Sequence, residues 1–143
     1  APLPLIEEAE RRGIIDAQRT GDDPTELDAA LTRLVARADG GDAVAQTLLA
    51  RCSEHMARAL AVVSNLLDVD RIVLGGPFWG RLEHVLAETV PPRLDELRAA
   101  RGVHPVVVSG TALGSDVGAI GAACLILDEA LTPRPTSLLV PTA

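Results

Sequence analysis

The sequence has no lysine and no tyrosine, and it holds one phenylalanine, one tryptophan and one methionine in 143 residues. Its thirteen basic residues are therefore all arginines, dispersed along the chain and outnumbered by twenty acidic ones. A net charge of −7 without a basic patch repels phosphate backbones, which argues against nucleic-acid binding by these residues themselves. Cysteine is scarce too. Cys52 and Cys124 stand far apart with no C-x-x-C spacing, so neither a zinc site nor a disulfide framework is supported, and two buried free thiols in a reducing cytoplasm are expected. No apolar run approaches the roughly 18 residues of a membrane span. The opening "APLPLIEEAERRG" lacks the basic stretch followed by an apolar core that marks a signal peptide. The expectation is a cytoplasmic protein without membrane contact. Its single methionine is Met56, so the chain does not open on an initiator, and a piece of a longer protein is expected.

What is present is apolar patterning of helical period. "PLPLIEEAERRG" reads as a short helix with Leu5, Ile6 and Ala9 inward and Gly13 as its stop, followed by a connector, "IIDAQRTGDD". Asp23 can cap the next helix, with Pro24 in its first position and Glu26 three residues past the cap. Leu27, Leu31, Leu34 and Val35 give that helix its stripe. Asp42 opens the longest element. There the spacing from Ala45 through Leu48, Leu49, Cys52, Met56, Ala59, Leu60, Val63, Leu66 and Leu67 predicts one inward face on a helix of about 25 residues, roughly 38 Å long.

Two short apolar runs, "RIVLGG" and "HPVVVSG", read as fully buried parallel strands. Between them Leu82, Val85, Leu86 and Val90 keep helical spacing. Pro91-Pro92 is expected to split that helix before "PRLDELRAARG" resumes. "SDVGAIGAACLILDEAL" closes the pattern as a helix started near Ser115 or Asp116, and residues 132–143 read as an extended tail. The fold class is α/β: helix-rich, around one parallel βαβ unit.

Ligands of open α/β sheets gather beyond the carboxyl ends of the strands. Two loops stand there, Gly75-Gly76 and the stretch from Ser109 to Gly118, which leads into a helix whose N-terminus favours an anion. Each is a weak signal alone. A glycine pair after a strand is more often a tight turn, and Gly118 and Gly121 suit close helix packing. Ser109, Thr111 and Ser115 have no neighbouring His or Cys to activate them. His55, His84 and His104 lack metal-ligand spacing. Asp68 and Asp70 suit helix termination better than catalysis, and Asn65 suits a buried hydrogen-bonding position. No phosphate-gripping hairpin or Walker-type loop occurs. In "IVLGGPFWG" the glycine pair suits a ligand cradle, whereas Phe78 and Trp79 suit a plug.

The run "LARCSEHMARALAVVSNLLDVDRIVLGG" with "VVVSGTALGSDVGAIGAACLILDEAL" resembles the carboxyl-terminal region of the ROK family (repressor, ORF, kinase), from about Leu27 onward. The resemblance implies residues 1–143 as a carboxyl-terminal lobe piece of an actin/hexokinase-like (ribonuclease H-like) domain. It places the catalytic Asp, the sugar contacts, the first phosphate loop and a cysteine-rich zinc motif upstream. It also matches Gly75 and Gly76 to glycines lining the adenosine pocket of kinase members, with the loop of Gly114 close to the same cleft. Here Pro77, Phe78 and Trp79 follow the pair where kinases tend to keep small residues, so these three glycines read as vestigial adenosine-site positions. No catalytic or metal-binding residue is expected in this chain, and no cofactor beyond ATP if the protein is a kinase.

The leading reading is a sugar-responsive ROK transcriptional regulator. It would dimerise, sense its sugar through the missing lobe and bind DNA through an upstream helix-turn-helix. The alternatives are an ATP-dependent, glucokinase-like sugar kinase and a small self-standing helical interaction module.

Overall fold

The computed structural model describes residues 2–17, 22–98 and 105–132. Helix α1 spans Leu3–Arg11, buries Ile6 and Ala9, and is followed by Gly13 at φ +66°. Ile14 and Ile15, in the segment read as a plain connector, are buried in the core. Helix α2, Pro24–Asp39, starts as its cap predicts. The Asp23 carboxylate accepts hydrogen bonds from the backbone of Thr25 at 2.8 Å and Glu26 at 3.2 Å, which hold its carboxyl below the usual range. Helix α3, Ala43–Leu67, is capped alike by Asp42, which accepts from the backbone of Val44 at 3.0 Å and Ala45 at 3.1 Å.

Asp68 closes α3 in the left-handed region, φ +49°, with its N–H on the Ser64 carbonyl. Asp68 is thus a helix terminator. The carbonyl of Asp70 accepts from Val107 N–H at 2.9 Å, at the start of the sheet. Strand β1, Arg71–Leu74, pairs in parallel with β2, Val107–Gly110, in the register Arg71 to Val107 through Leu74 to Gly110. Helix α4, Trp79–Leu97, makes the crossover, completing the expected βαβ unit. A short 3-10 turn over Gly114–Asp116 then leads into α5, Val117–Leu131.

Four expectations need correction. Pro91-Pro92 does not split α4, which runs through both prolines. Each proline removes one backbone donor, a cost of about 3 kcal/mol in a helix interior. Burial of Leu86, Val90 and Leu94 at four-residue intervals on the side facing α3 and the sheet offsets it. The strands, secondly, are not buried on both faces. Ile72 and Val108 pack against the buried cluster of Ala61, Leu94 and Val106, while Val73 and Val107 stand exposed. Thirdly, α3 turns a small-residue stripe inward in its second half (Ser53, Ala57, Ala61 and Ser64), leaving Val62, Val63, Leu66 and Leu67 in solvent and Asn65 exposed. Finally, α5 buries no residue. Gly118 and Gly121 have nothing within 4 Å of an added Cβ, and neither thiol is fully buried as expected: Cys124 is exposed and Cys52 half-buried. The tail beyond Thr132 and His104 lie outside the described residues.

The pair α3–α4 is also tied by charge. The Arg93 guanidinium grips Glu54 with two bonds of 2.7 and 3.0 Å, and Arg58 adds a third at 2.7 Å. Hydrogen bonding to Arg93 and then Arg58 holds the Glu54 carboxyl down to about 2 from its ordinary 4.5. A depressed carboxyl contributes stability that is complete above the ordinary value and is lost as pH falls toward the folded one. Arg93→Ala should therefore destabilise the protein near neutral pH. Its difference from wild type should shrink between pH 4.5 and about 2. Chemical denaturation at a series of pH values measures it; a difference constant across that window would refute the assignment.

Candidate ligand cleft

The segment between β1 and α4 is a tight turn, Gly76-Pro77-Phe78-Trp79, closed by the Trp79 N–H on the Gly76 carbonyl at 3.1 Å. Gly76 lies at φ +118°, where an L side chain is strained. Pro77 suits the second position of a type I turn, and Phe78, at φ −101°, ψ −3°, has the geometry of the third. The glycine-rich turn and the aromatics therefore belong to one device. It ends a strand, starts a helix and delivers two rings to the carboxyl end of the sheet.

Gly76 and Gly114, the latter at φ +59°, come together in the wall of one open cleft of about 610 Å³. That volume is ordinary for a small-molecule site. Phe78, Trp79 and Thr111 share the wall, and α2 closes the far side with Thr25 and Asp28. Gly75 is absent from this wall. It borders a separate apolar cavity of about 260 Å³, lined by Leu5, Cys52, Met56 and Leu86 among others. A Cβ on Gly75 would stand 2.6 Å from Thr111 Cγ2, so the glycine admits a side chain of the protein itself. Burial raises the Cys52 thiol, which favours the neutral form.

Trp79 is seated by a contact that sequence reasoning missed. A Cβ on Gly110, the last residue of β2, would lie 2.5 Å from the indole Nε1 and 2.8 Å from Glu83 Oε1. Only a glycine leaves room there for the indole edge. Trp79 Nε1 is buried and has no hydrogen-bond partner among the described residues. The charges nearby are few. Arg81 reaches from α4 to Asp28 on α2, with bonds of 3.2 and 3.1 Å, and those bonds raise its pKa and keep it charged. Among the described residues Arg81 is the one cation lining the cleft, and Asp28 holds it.

The other candidates form no site. Ser115 makes one long hydroxyl contact, 3.4 Å, to Asp116, and the Thr111 hydroxyl accepts from Leu113 N–H at 3.2 Å. His84 lies 3.4 Å from Asp39, while His55 is an exposed residue of α3. Among the described residues no group of three His, Cys, Asp or Glu side chains could hold a metal. Among the described residues no helix is long and apolar enough to cross a membrane.

A glycine-lined cleft thus lies beyond the strand ends of a helix-rich βαβ unit of the α/β class. The ROK family model matches residues 11–129, beginning ahead of Leu27, and the chain belongs to the ROK family. Among solved structures it is similar to a protein from Cytophaga hutchinsonii assigned as a sugar kinase, at 20% identity with a TM-score of 0.53. That likeness covers 86% of this chain but only 40% of the other, and it supports the actin/hexokinase-like fold. No curated protein matches closely enough to count as a relative.

Proposed function

We propose that the chain forms the carboxyl-terminal part of the sugar-kinase-like body of a cytoplasmic ROK transcriptional regulator. In this reading a helix-turn-helix and the sugar-sensing lobe, with any zinc, belong to residues outside this chain, and the assembled protein dimerises. One observation carries it: Trp79, delivered by the turn after Gly75-Gly76, is packed edge-on against Gly110 at the cleft where a kinase would keep small residues. Gly75, Gly76 and Gly114 are then vestigial adenosine-site positions, with Phe78 and Trp79 covering area that a base would otherwise cover. The net charge of −7 agrees with DNA contact by another module. A sugar would shift such a regulator through its different affinity for the DNA-competent and incompetent states.

The sugar-kinase reading keeps one observation in its favour. About 610 Å³ of the cleft stays open, walled by bare backbone at Gly76 and Gly114. Isothermal titration of the full-length protein with ATP–Mg²⁺, coupled to a glucose phosphorylation assay, separates the two. The regulator reading expects no heat of binding at micromolar ATP and no sugar phosphate. Micromolar affinity with turnover would replace it by the kinase. A self-standing helical module has less support, because α5 and the second half of α3 leave aliphatic side chains uncovered.

A further inference from the structure

The turn after β1 borders a second space besides the cleft, the apolar cavity of about 260 Å³. Three helices wall it: α1 with Leu5, α3 with Cys52 and Met56, and α4 with Leu82 and Leu86. Close-packed interiors hold few voids larger than a water molecule, and an apolar void of about 150 Å³ is enough for benzene. The space therefore exceeds an ordinary packing defect. Leu5, Cys52, Met56 and Phe78 are half-buried, so the cavity communicates with solvent and a small molecule can enter.

The lining decides what such a molecule is. Among the described residues no charged side chain, hydroxyl or amide borders the cavity. Trp79 Nε1 is packed against Gly110, which is not part of this wall. A polar molecule would give up its hydrogen bonds to water and find no side chain to replace them. An apolar one loses nothing polar and gains the burial of its surface. Phe78 and Trp79 supply rings, against which another ring packs offset or edge-on. The polarizable Met56 sulfur favours an aromatic neighbour too, and Cys52, its thiol kept neutral by burial, behaves as a small hydrophobe.

We propose that this cavity binds a small, uncharged, planar aromatic molecule of about two fused rings, seated between Leu5, Met56 and the Phe78–Trp79 turn. The site is separate from the glycine-lined cleft but shares Phe78 and Trp79 with it, so its occupancy fixes the two rings that also wall the cleft. It does not depend on whether the body belongs to a regulator or to a kinase.

Isothermal titration of the full-length protein with indole is the test. One saturable heat should appear and become more exothermic on warming, the negative heat-capacity change of apolar burial. Met56→Gln and Leu5→Gln, at half-buried positions, each set an amide on the wall. Each should weaken indole binding about tenfold or more with the fold intact by circular dichroism, whereas Met56→Leu should bind as wild type does. Adenine, as large as indole but polar at its edges, should give no heat and should not displace indole. No saturable indole heat overturns the proposal and leaves the regulator reading in place. Indole binding indifferent to both glutamine substitutions lies elsewhere and overturns it as well. Adenine that displaces indole would make the cavity a nucleobase slot, and both readings would fall. ATP–Mg²⁺ binding that leaves the indole heat unchanged supports the separate site while overturning the regulator reading alone.

Discussion

Leu125→Asp on α5, or Leu66→Asp on α3, should lower the stability of the full-length protein by about 3 kcal/mol or more, although both side chains stand in solvent here. Leu66 is 78% exposed and Leu125 73%, and an aspartate at such positions would ordinarily change stability by no more than about 0.5 kcal/mol. The expectation is larger because neither residue is isolated. Leu125 shares α5 with Ile120, Ile126, Leu127 and Leu131, and Leu66 shares α3 with Val62, Val63 and Leu67. Val73 and Val107 bare one face of a parallel sheet, an architecture that is normally covered on both sides. Each aliphatic side chain removed from water contributes about 1.5–3 kcal/mol. A two-stranded sheet, moreover, is marginal by itself. If the rest of a ROK body covers these surfaces, an aspartate there becomes a buried, unpaired charge. Thermal or denaturant unfolding of the full-length variants measures the cost. In the 143-residue chain alone the same substitutions should be close to neutral and should reduce self-association in sedimentation. Equal, small effects in both settings would mean that nothing covers α5 and α3, and the lobe reading would fall with them.

How far these surfaces could be read from the sequence depends on what a periodic pattern reports. Local rules worked where the cause was local. Asp23 and Asp42 cap their helices because a short carboxylate followed by bare N–H groups has little else to do. Gly76 sits at positive φ because a strand must turn into a helix within a few residues. The βαβ unit followed from two apolar runs with a helix between them.

The long helix was harder. Its second half is apolar on two sides, and spacing cannot tell which side meets this chain's own core. The larger residues Val63, Leu66 and Leu67 suggested one stripe, whereas the core took the smaller Ala57, Ala61 and Ser64. The cleft was legible only in part. Gly76 and Gly114 were recognisable as strand-end glycines, but the seating of Trp79 on Gly110 joins residues from opposite ends of the crossover. That contact leaves no trace in local spacing. Nor did the thiol expectation hold for Cys124, because an apolar helix reads as buried whether or not its partner is present.

Leu94→Ala should be the most damaging truncation within the chain, at about 2–5 kcal/mol. Leu94 is fully buried and stands at the centre of the small cluster that joins α3, α4 and the sheet, with Ala61 and Val106 buried beside it. Ile72 and Val108, one from each strand, pack on the same cluster, so this side chain anchors the covered face of the βαβ unit. Two features of the site set the loss above that of a typical leucine. Ala61 is too small to fill the space left behind, so a cavity would persist. Leu94 also follows Pro91-Pro92 on the same helix, where missing backbone donors leave α4 dependent on side-chain packing for its continuity. Without Leu94, the last turn of α4 loses what holds it beyond the prolines. Fraying there would release Arg93 from Glu54, adding to the cost. Denaturant unfolding gives the total, and hydrogen exchange on residues 93–97 should show protection lost from that turn before the rest of α4. A loss under about 1 kcal/mol, or unchanged exchange, would mean that α4 crosses its prolines on support from elsewhere.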